Sequence, residues 1–337
     1  MRHIVYIGNK ANDRKKTNVS SIDILSSLLK ESGFVVFSAS HKKDMLLRLI
    51  HMLYTCLKYR KEADYVLIDT YSTLNFYYAY FVSQFCRVLK LKYIPILHGG
   101  NLPNRLKNSP KLSKAIFNHA FKNIAPSEYI KSQFINFGFH NIKIIPNAID
   151  LKNYPFKERT FEKVKLLWVR SFSKIYNPLL AVKILKTLKE RGISAELCMV
   201  GPDSDGCLND VKEYAKSLGL KVTFTGKLNK EDWISLSKNY NIFINTTNFD
   251  NTPVSVIEAM ALGLPVISTN VGGIPFLIEN QKTGILVAPN SVESFITEIN
   301  KIMTSPEKAN HLAMVARKKV EDFDWSHIKT QWIKVLH

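Results

Sequence analysis

Short apolar, β-branched runs alternate with helical stretches along almost the whole chain, and this alternation most constrains the fold. In the first half the runs lie near Ile4 to Ile7, Val35 to Ser38, Val66 to Ile68, Tyr93 to Leu97, Asn123 to Ala125 and Lys143 to Ile145. Helical patterns fall between them, including Ser21 to Glu31 and Leu74 to Leu89. Such a succession predicts parallel sheets wound with helices. The pattern dissolves after Pro146-Asn147-Ala148-Ile149-Asp150 into the polar stretch Lys152 to Arg159, which reads as a linker, and restarts at Lys165-Leu166-Leu167-Trp168-Val169. A chain of 337 residues is too long for one ordinary core and suits two domains. Neither an internal repeat nor a low-complexity tract interrupts the pattern. The aromatic run Phe76 to Phe81 reads as core packing.

Composition is ordinary for a globular protein, with 46% hydrophobic and 22% charged residues. No stretch approaches the ~18 uninterrupted apolar residues of a spanning helix. Residues Met1 to Gly8 read as a first strand running into a polar loop, not as a signal peptide. The four cysteines, Cys56, Cys86, Cys198 and Cys207, show neither paired spacing nor metal-type His partners, so reduced thiols in a cytosolic protein are expected. The net charge of +19 calls for an anionic partner: nucleic acid, anionic lipid, or a nucleotide or lipid-diphosphate ligand. Basic residues gather between Lys42 and Lys61 and from Arg105 through Lys107, Lys111 and Lys114 to Lys122. Leu, Met and Tyr are interleaved with the first group, which favours a membrane-surface face. An amphipathic core helix with a solvated lysine face is the plainer alternative. Nucleic acid ranks lower, because no zinc-finger, RNA-recognition or helix-turn-helix pattern accompanies the charge.

Phosphate motifs of the familiar kinds are missing. No Gly-x-Gly-x-x-Gly follows the first strand, and Gly226-Lys227 ends no P-loop, since Leu228 stands where a hydroxyl residue is required. The unusual residues instead sit at the ends of expected strands, where ligands of open α/β sheets gather. His98 follows Ile94 to Leu97, Arg170 follows Leu166 to Val169, Gly201 follows Leu197 to Val200, and Gly226 follows Val222 to Thr225. The run Ile242 to Asn245 reads as another buried strand, and its polar loop carries Asp250. Thr252-Pro253 then opens a helix, with the hydroxyl at the N-cap and proline at the first helical position, and Gly263 closes it. The amides of Val254 and Ser255 thereby lack intrahelical partners and form an anion site. Glu258 follows on the same face. Phosphate-holding amides with a carboxylate behind them suit a nucleotide diphosphate whose ribose hydroxyls need an acceptor.

Asp250 through Glu258 resembles the Glu-x7-Glu signature of retaining glycosyltransferases of family 4, which have the GT-B fold. His98-Gly99-Gly100, Ala125-Pro126-Ser127-Glu128, Pro146 to Asp150, Val169 to Pro178, Gly226-Lys227-Leu228 and Val271 to Pro275 each resemble further segments of that family. Five residues depart from its pattern: Asp250 is shorter than the usual glutamate, Ala148 replaces a glycine, Ser171 and Tyr176 fall at the usual arginine and lysine positions, and Phe276 stands where an acidic residue commonly follows.

The resemblance implies two Rossmann-like, doubly wound parallel-sheet α/β domains facing a cleft. Residues 1–150 would form the acceptor-side domain and 160–320 the nucleotide-sugar domain, with 321–337 a helix crossing back to the first. It implies that Glu258 holds the donor ribose, that Asp250 and His98 face the transferred sugar, and that Gly226, Lys227 and Leu228 meet the base. Arg170 would take the arginine role and Lys174 substitute for the lysine, joined by Thr252, the Val254 and Ser255 amides and Gly201 around the diphosphate. The expected activity is retaining transfer of a sugar from a nucleotide-sugar, UDP favoured over GDP, to a hydroxyl of a glycan or lipid-linked acceptor in surface polysaccharide synthesis. No metal or cofactor is expected, and the location expected is cytoplasmic or peripheral on the inner membrane face. A nucleotide-sugar epimerase and a non-catalytic nucleotide-sugar-binding subunit on the same fold are the alternatives.

Overall fold

The computed structural model describes residues 2–10 and 21–337. Most of the polar loop expected after the first strand lies outside the described residues. The chain divides into two compact units: unit 1 is Met1–Ala148 with Trp325–His337, and unit 2 is Ile149–Asp324.

Unit 1 is built on β1 (His3–Ile7), β2 (Val35–Ala39), β3 (Tyr65–Thr70), β4 (Tyr93–Leu97), β5 (Asn123–Ala125) and β6 (Ile142–Ile144). These stand in the order β2-β1-β3-β4-β5-β6, every pair parallel. The connecting helices are α1 (Ser21–Glu31), α2 (Met45–Lys58), α3 (Asn75–Val88), α4 (Leu102–Asn108), α5 (Pro110–Phe117) and α6 (Glu128–Asn136). Strand residues alternate between two cores, as the two-residue repeat of a strand requires. Val5, Ile7, Val66 and Ile68 pack with Met52 and Cys56 of α2 and with Phe76 and Val82 of α3. Ile4, Tyr6 and Leu67 face Ile22 and Leu29 of α1 on the other side. Burying side chains of this size contributes about 1.5–3 kcal/mol each.

Unit 2 repeats the plan with β7 (Val164–Val169), β8 (Ala195–Val200), β9 (Thr223–Gly226), β10 (Ile242–Asn245), β11 (Val266–Thr269) and β12 (Ile285–Val287). Its order is β12-β11-β10-β7-β8-β9, again parallel throughout. The helices are α7 (Pro178–Glu190), α8 (Cys207–Ser217), α9 (Lys230–Ser237), α10 (Val254–Ala261), α11 (Ile274–Leu277), α12 (Val292–Thr304) and α13 (Pro306–Val320). The last helix, α14 (Trp325–Leu336), belongs to unit 1, where Ile328 and Trp332 join the core around Ile4 and Tyr6. Two doubly wound parallel sheets are therefore present, as the alternation in the sequence predicts. Strand order reverses between β1 and β3 in unit 1 and between β7 and β10 in unit 2. These are the switch points where such sheets open a crevice at their carboxyl ends.

Three local expectations are corrected. The polar stretch Lys152 to Arg159 is no solvated linker, because Tyr154 and Arg159 are buried in unit 2. The Arg159 guanidinium donates to the carbonyl oxygens of Ser237 at 2.9 Å, Tyr240 at 3.2 Å and Leu262 at 2.6 Å, which replace its water. Burial lowers its pKa to about 10. Helix α10 takes Pro253 as its N-cap, one residue later than expected, and the Thr252 hydroxyl turns back to Asn251 Oδ1 at 3.4 Å. The aromatic run is only half core: Phe76 and Tyr78 are buried, whereas Tyr77 and Phe81 are exposed. All four cysteines are free and buried, and no helix among the described residues is long and apolar enough to cross a membrane.

Candidate functional site

At the switch point of unit 2, the loops after β7 and β10 are fastened together from below. Trp168, fully buried in β7, donates its indole N–H to Thr246 Oγ1 at 3.0 Å. That hydroxyl in turn reaches the carbonyls of Tyr176 and Asn177, both at 2.9 Å. The Asn248 amide donates to the Ile175 carbonyl at 2.8 Å, closing a second link between the two loops.

Arg170 leaves β7 into this frame. Its guanidinium is ion-paired through Nη2 with Asp250 Oδ2, and its Cζ lies 4.0 Å from the centre of the Tyr176 ring. Tyr176, which occupies the usual lysine position, is thus the surface on which the arginine stacks. The guanidinium is mostly buried, and its Nε has no hydrogen-bond partner among the described residues. A buried N–H left in that state costs about 1–3 kcal/mol. Glycines shape the surroundings. Gly201, with φ of +149°, lies so close to β7 that a Cβ would stand 1.8 Å from the Arg170 carbonyl oxygen. A Cβ on Gly272 would come within 2.2 Å of the Asp250 carbonyl oxygen, and one on Gly273 as near to that of Asn251. The Val271 to Pro275 segment therefore holds Asp250 by backbone packing, reinforced by the Gly273 amide donating to its carbonyl at 2.9 Å.

Three more polar atoms near this edge lack partners among the described residues: Asn245 Oδ1, at the end of β10, Lys227 Nζ, just beyond β9, and Ser255 Oγ, in the first turn of α10. Lys174 differs from them. Its side chain is exposed, and its backbone is what is engaged: the amide donates to Asp205 Oδ2 at 2.8 Å and the carbonyl accepts from the Asn177 amide at 3.2 Å. One turn into α10, Glu258 is buried and accepts from Tyr154 Oη at 2.8 Å and from Lys230 Nζ, both at Oε1. Burial raises the Tyr154 phenol to about 12, so it remains a donor at neutral pH. The Lys230 side chain is half-exposed and its ammonium is paired with Glu258, and desolvation lowers it to about 8. The adjoining carboxylate opposes that shift.

Sequence reasoning missed both partners of Glu258. Tyr154 lay in the supposed linker. Lys230 carried a signal, since a cation in the first turn of a helix opposes the dipole unless a carboxylate meets it.

His98 belongs to unit 1, at the carboxyl end of β4. Its Nε2 lies 2.9 Å from Asp69 Oδ1, and Tyr6 Oη donates to the same oxygen at 2.8 Å. Tyr71 stacks on the imidazole with ring centres 5.4 Å apart. Burial, and secondarily the charge of Asp69, raises the Tyr6 and Tyr71 phenols. A Cβ on Gly8 would fall 2.4 Å from Asp69 Oδ2, and one on Gly99 2.7 Å from the Ser72 amide. Asp69 was the missed residue here; a carboxylate near the end of the otherwise apolar Tyr65–Thr70 strand was its signature.

Ligand atoms of Asp203, Asp205 and Cys207 lie within 4.8 Å of one another. Asp205 is committed to the loop, accepting from the Lys174 amide and Ser173 Oγ, contacts that lower its pKa to about 2. Burial and then Asp205 push the Cys207 thiol up to about 12.

Two doubly wound parallel sheets, one with a stacked, ion-paired arginine at its switch point, define a protein of the GT-B kind. Residues 152–319 match the family model described as Glycosyl transferases group 1. Among curated proteins, the Arabidopsis thaliana sulfoquinovosyl transferase SQD2 is 29% identical over 156 residues, 45% of this chain and 29% of its own length. The Escherichia coli UDP-Gal:alpha-D-GlcNAc-diphosphoundecaprenol alpha-1,3-galactosyltransferase is 25% identical over 191 residues, 53% of this chain and 49% of its own. The chain thus spans about half or less of the length of the first curated relatives it matches. The solved sucrose-phosphate synthase of Thermosynechococcus elongatus superposes with a TM-score of 0.82 at 17% identity, covering 99% of this chain and 98% of that one.

Proposed function

We propose that this protein transfers a sugar from a nucleotide-sugar, UDP-linked in preference to GDP-linked, to a hydroxyl of a glycan or lipid-linked acceptor. The anomeric configuration is retained, and the product belongs to surface polysaccharide synthesis. One observation carries the reading: Arg170 is held rigidly at the switch point of unit 2 with a buried N–H that lacks an acceptor. An anionic diphosphate supplies that acceptor and finds Lys227 Nζ, Ser255 Oγ and the Val254 and Ser255 amides along the same edge. The name of the E. coli relative, with its UDP-linked donor and diphosphoundecaprenol-linked acceptor, supports the donor and acceptor classes.

In this reading Arg170, with Lys174 as an outer charge, stabilises the departing diphosphate. Glu258, oriented by Tyr154 and Lys230, accepts from the donor ribose. Gly201 and Gly226 leave room for the nucleotide, Thr252 lines the diphosphate, and the base lies against Gly226 and Lys227. Asp250 and His98 contact the transferred sugar. The acceptor oxygen bonds to the anomeric carbon on the face from which the diphosphate leaves, and the acceptor proton passes to the leaving phosphate oxygen. Side-chain cations do the neutralising, so the scheme requires no metal. The location is cytoplasmic, with the acceptor met at an anionic membrane surface.

Incubation with labelled UDP- and GDP-sugars and hydroxyl acceptors tests the scheme, with NMR of the product's anomeric proton. Transfer with retention is expected. Interconversion of the donor sugar without transfer would make the protein an epimerase, and binding alone a non-catalytic subunit.

A further inference from the structure

Helix α2 contradicts the usual logic of a surface helix. Leu49, Met52, Leu53 and Cys56 turn inward onto the sheet of unit 1. The opposite face is nonetheless apolar: Leu46 is 66% exposed, Leu47 56%, Ile50 52% and Tyr54 58%, with Leu57 extending the same stripe. A helix apolar all round is normally buried, and isolated monomers seldom leave such a surface in water. Helix α3, its neighbour on the same side of the sheet, adds exposed Tyr77 and Phe81, with its N-cap residue Leu74 exposed beside them. The Tyr78 hydroxyl, donating to the Met45 carbonyl at 3.3 Å, ties the two helices together.

Charge identifies what covers this face. Between residues 41 and 61 there are six basic side chains and one carboxylate, Asp44. Asp44 caps α2 by accepting from the Leu47 amide at 2.9 Å. Arg48 is turned away, bracing the preceding loop through the Lys42 and Lys43 carbonyls at 2.8 and 3.3 Å. The exposed cations Lys42, Lys43, Lys58 and Lys61 therefore flank both ends of an apolar stripe, while Arg60 is held to the Leu57 carbonyl at 3.1 Å. A second copy of the same face would meet it with like charge. A nucleic-acid backbone would leave the Leu and Ile side chains in water.

We infer that α2, with the outer edge of α3, is the membrane-docking surface of this protein: its apolar stripe enters the interface of an anionic bilayer while the flanking lysines pair with lipid phosphates. The inference rests on the sugar-transfer reading only for its purpose, which is to bring unit 1 to a lipid-linked acceptor. Arg105, by contrast, donates to the Ser72 carbonyl at 2.8 Å and stacks on Phe76 and Tyr77, so it braces the fold and is no lipid ligand.

The test uses the full chain with phosphatidylglycerol-rich and pure phosphatidylcholine vesicles. Sedimentation with the first only, released by salt, is expected, and a Tyr54→Trp variant should be quenched by brominated acyl chains. Leu47→Asp with Ile50→Asp, and separately Lys42→Glu with Lys43→Glu and Lys58→Glu, should each raise the lipid needed for half-binding on the order of a hundredfold. Both variants should keep the wild-type melting temperature and UDP affinity. Vesicle binding that survives the aspartates, no quenching at residue 54, or a wild-type dimer dissolved by the aspartates would overturn the inference. Loss of nucleotide affinity with vesicle binding intact would count against sugar transfer and leave this surface standing.

Discussion

The two switch points of the molecule have the same architecture and opposite chemistry. In unit 1, at the ends of β1 and β3, the described polar groups are paired with one another. Asp69 is surrounded by Tyr6, His98 and the bare backbone of Gly8, and a single methyl there would collide with its carboxylate. In unit 2 the corresponding place holds Arg170 with an unsatisfied N–H, near a lysine and a serine hydroxyl that also lack partners. A closed network fixes the position of one imidazole. An open one is waiting for an acceptor. Sheet topology alone therefore marks two places where a ligand can sit, and hydrogen-bond accounting separates them, because the unpaired donors among the described residues at these edges lie in unit 2.

The largest effect should come from breaking the open site. Arg170→Ala should lower turnover about 10²–10³-fold in a donor-consumption assay, because on the proposed reading a buried charge beside the departing diphosphate is lost. A variant within fivefold of wild type would remove Arg170 from the chemistry. Glu258→Gln comes next. It keeps the shape but weakens charge-assisted bonds worth about 1.5–3 kcal/mol each, so calorimetry should show nucleotide affinity down by roughly one to two orders of magnitude. Unchanged affinity would leave Glu258 as a partner of Lys230 and Tyr154 and nothing more.

The closed site should answer in stability and not in affinity. Asp69→Ala orphans the Tyr6 hydroxyl and the His98 ring and should cost on the order of 1–3 kcal/mol in thermal unfolding, with UDP affinity unchanged. A loss of UDP affinity at unchanged stability would blur the distinction between the two units. The smallest effect belongs to Lys174→Ala, less than about fivefold on turnover, since its side chain is exposed and screened. A loss as large as that of Arg170→Ala would mean that the loop after β7 offers its lysine, not its arginine, to the diphosphate.

The fold was legible because apolar runs ending in polar, glycine-marked loops are a local signal. The strands at Ile4–Ile7, Tyr93–Leu97 and Ile242–Asn245 and the helix Ser21–Glu31 can all be read from a few neighbouring residues. Positions at strand ends were legible for the same reason, which is how Arg170, Gly201, Gly226 and Asp250 come to lie along one sheet edge. Partnerships were not. The pairs Asp69–His98, Tyr154–Glu258 and Lys230–Glu258 join residues 29, 104 and 28 positions apart, and no local pattern encodes their contact. Arg159 shows the opposite hazard, because a polar segment looks solvated until its carbonyl partners are in place. Tyr176 stood in the sequence as a departure at a lysine position, and only the folded loop reveals it as the ring beneath Arg170.

Uridine and UDP share a base and a ribose and differ in the diphosphate, so titrating both into the wild-type protein and into Arg170→Ala isolates the contribution of the open switch point. UDP should bind the wild type far more tightly than uridine, and that gap should shrink by at least about tenfold in the variant. Equal affinities in the wild type, or a gap that survives the substitution, would contradict the assignment of the unit 2 switch point to a nucleotide diphosphate.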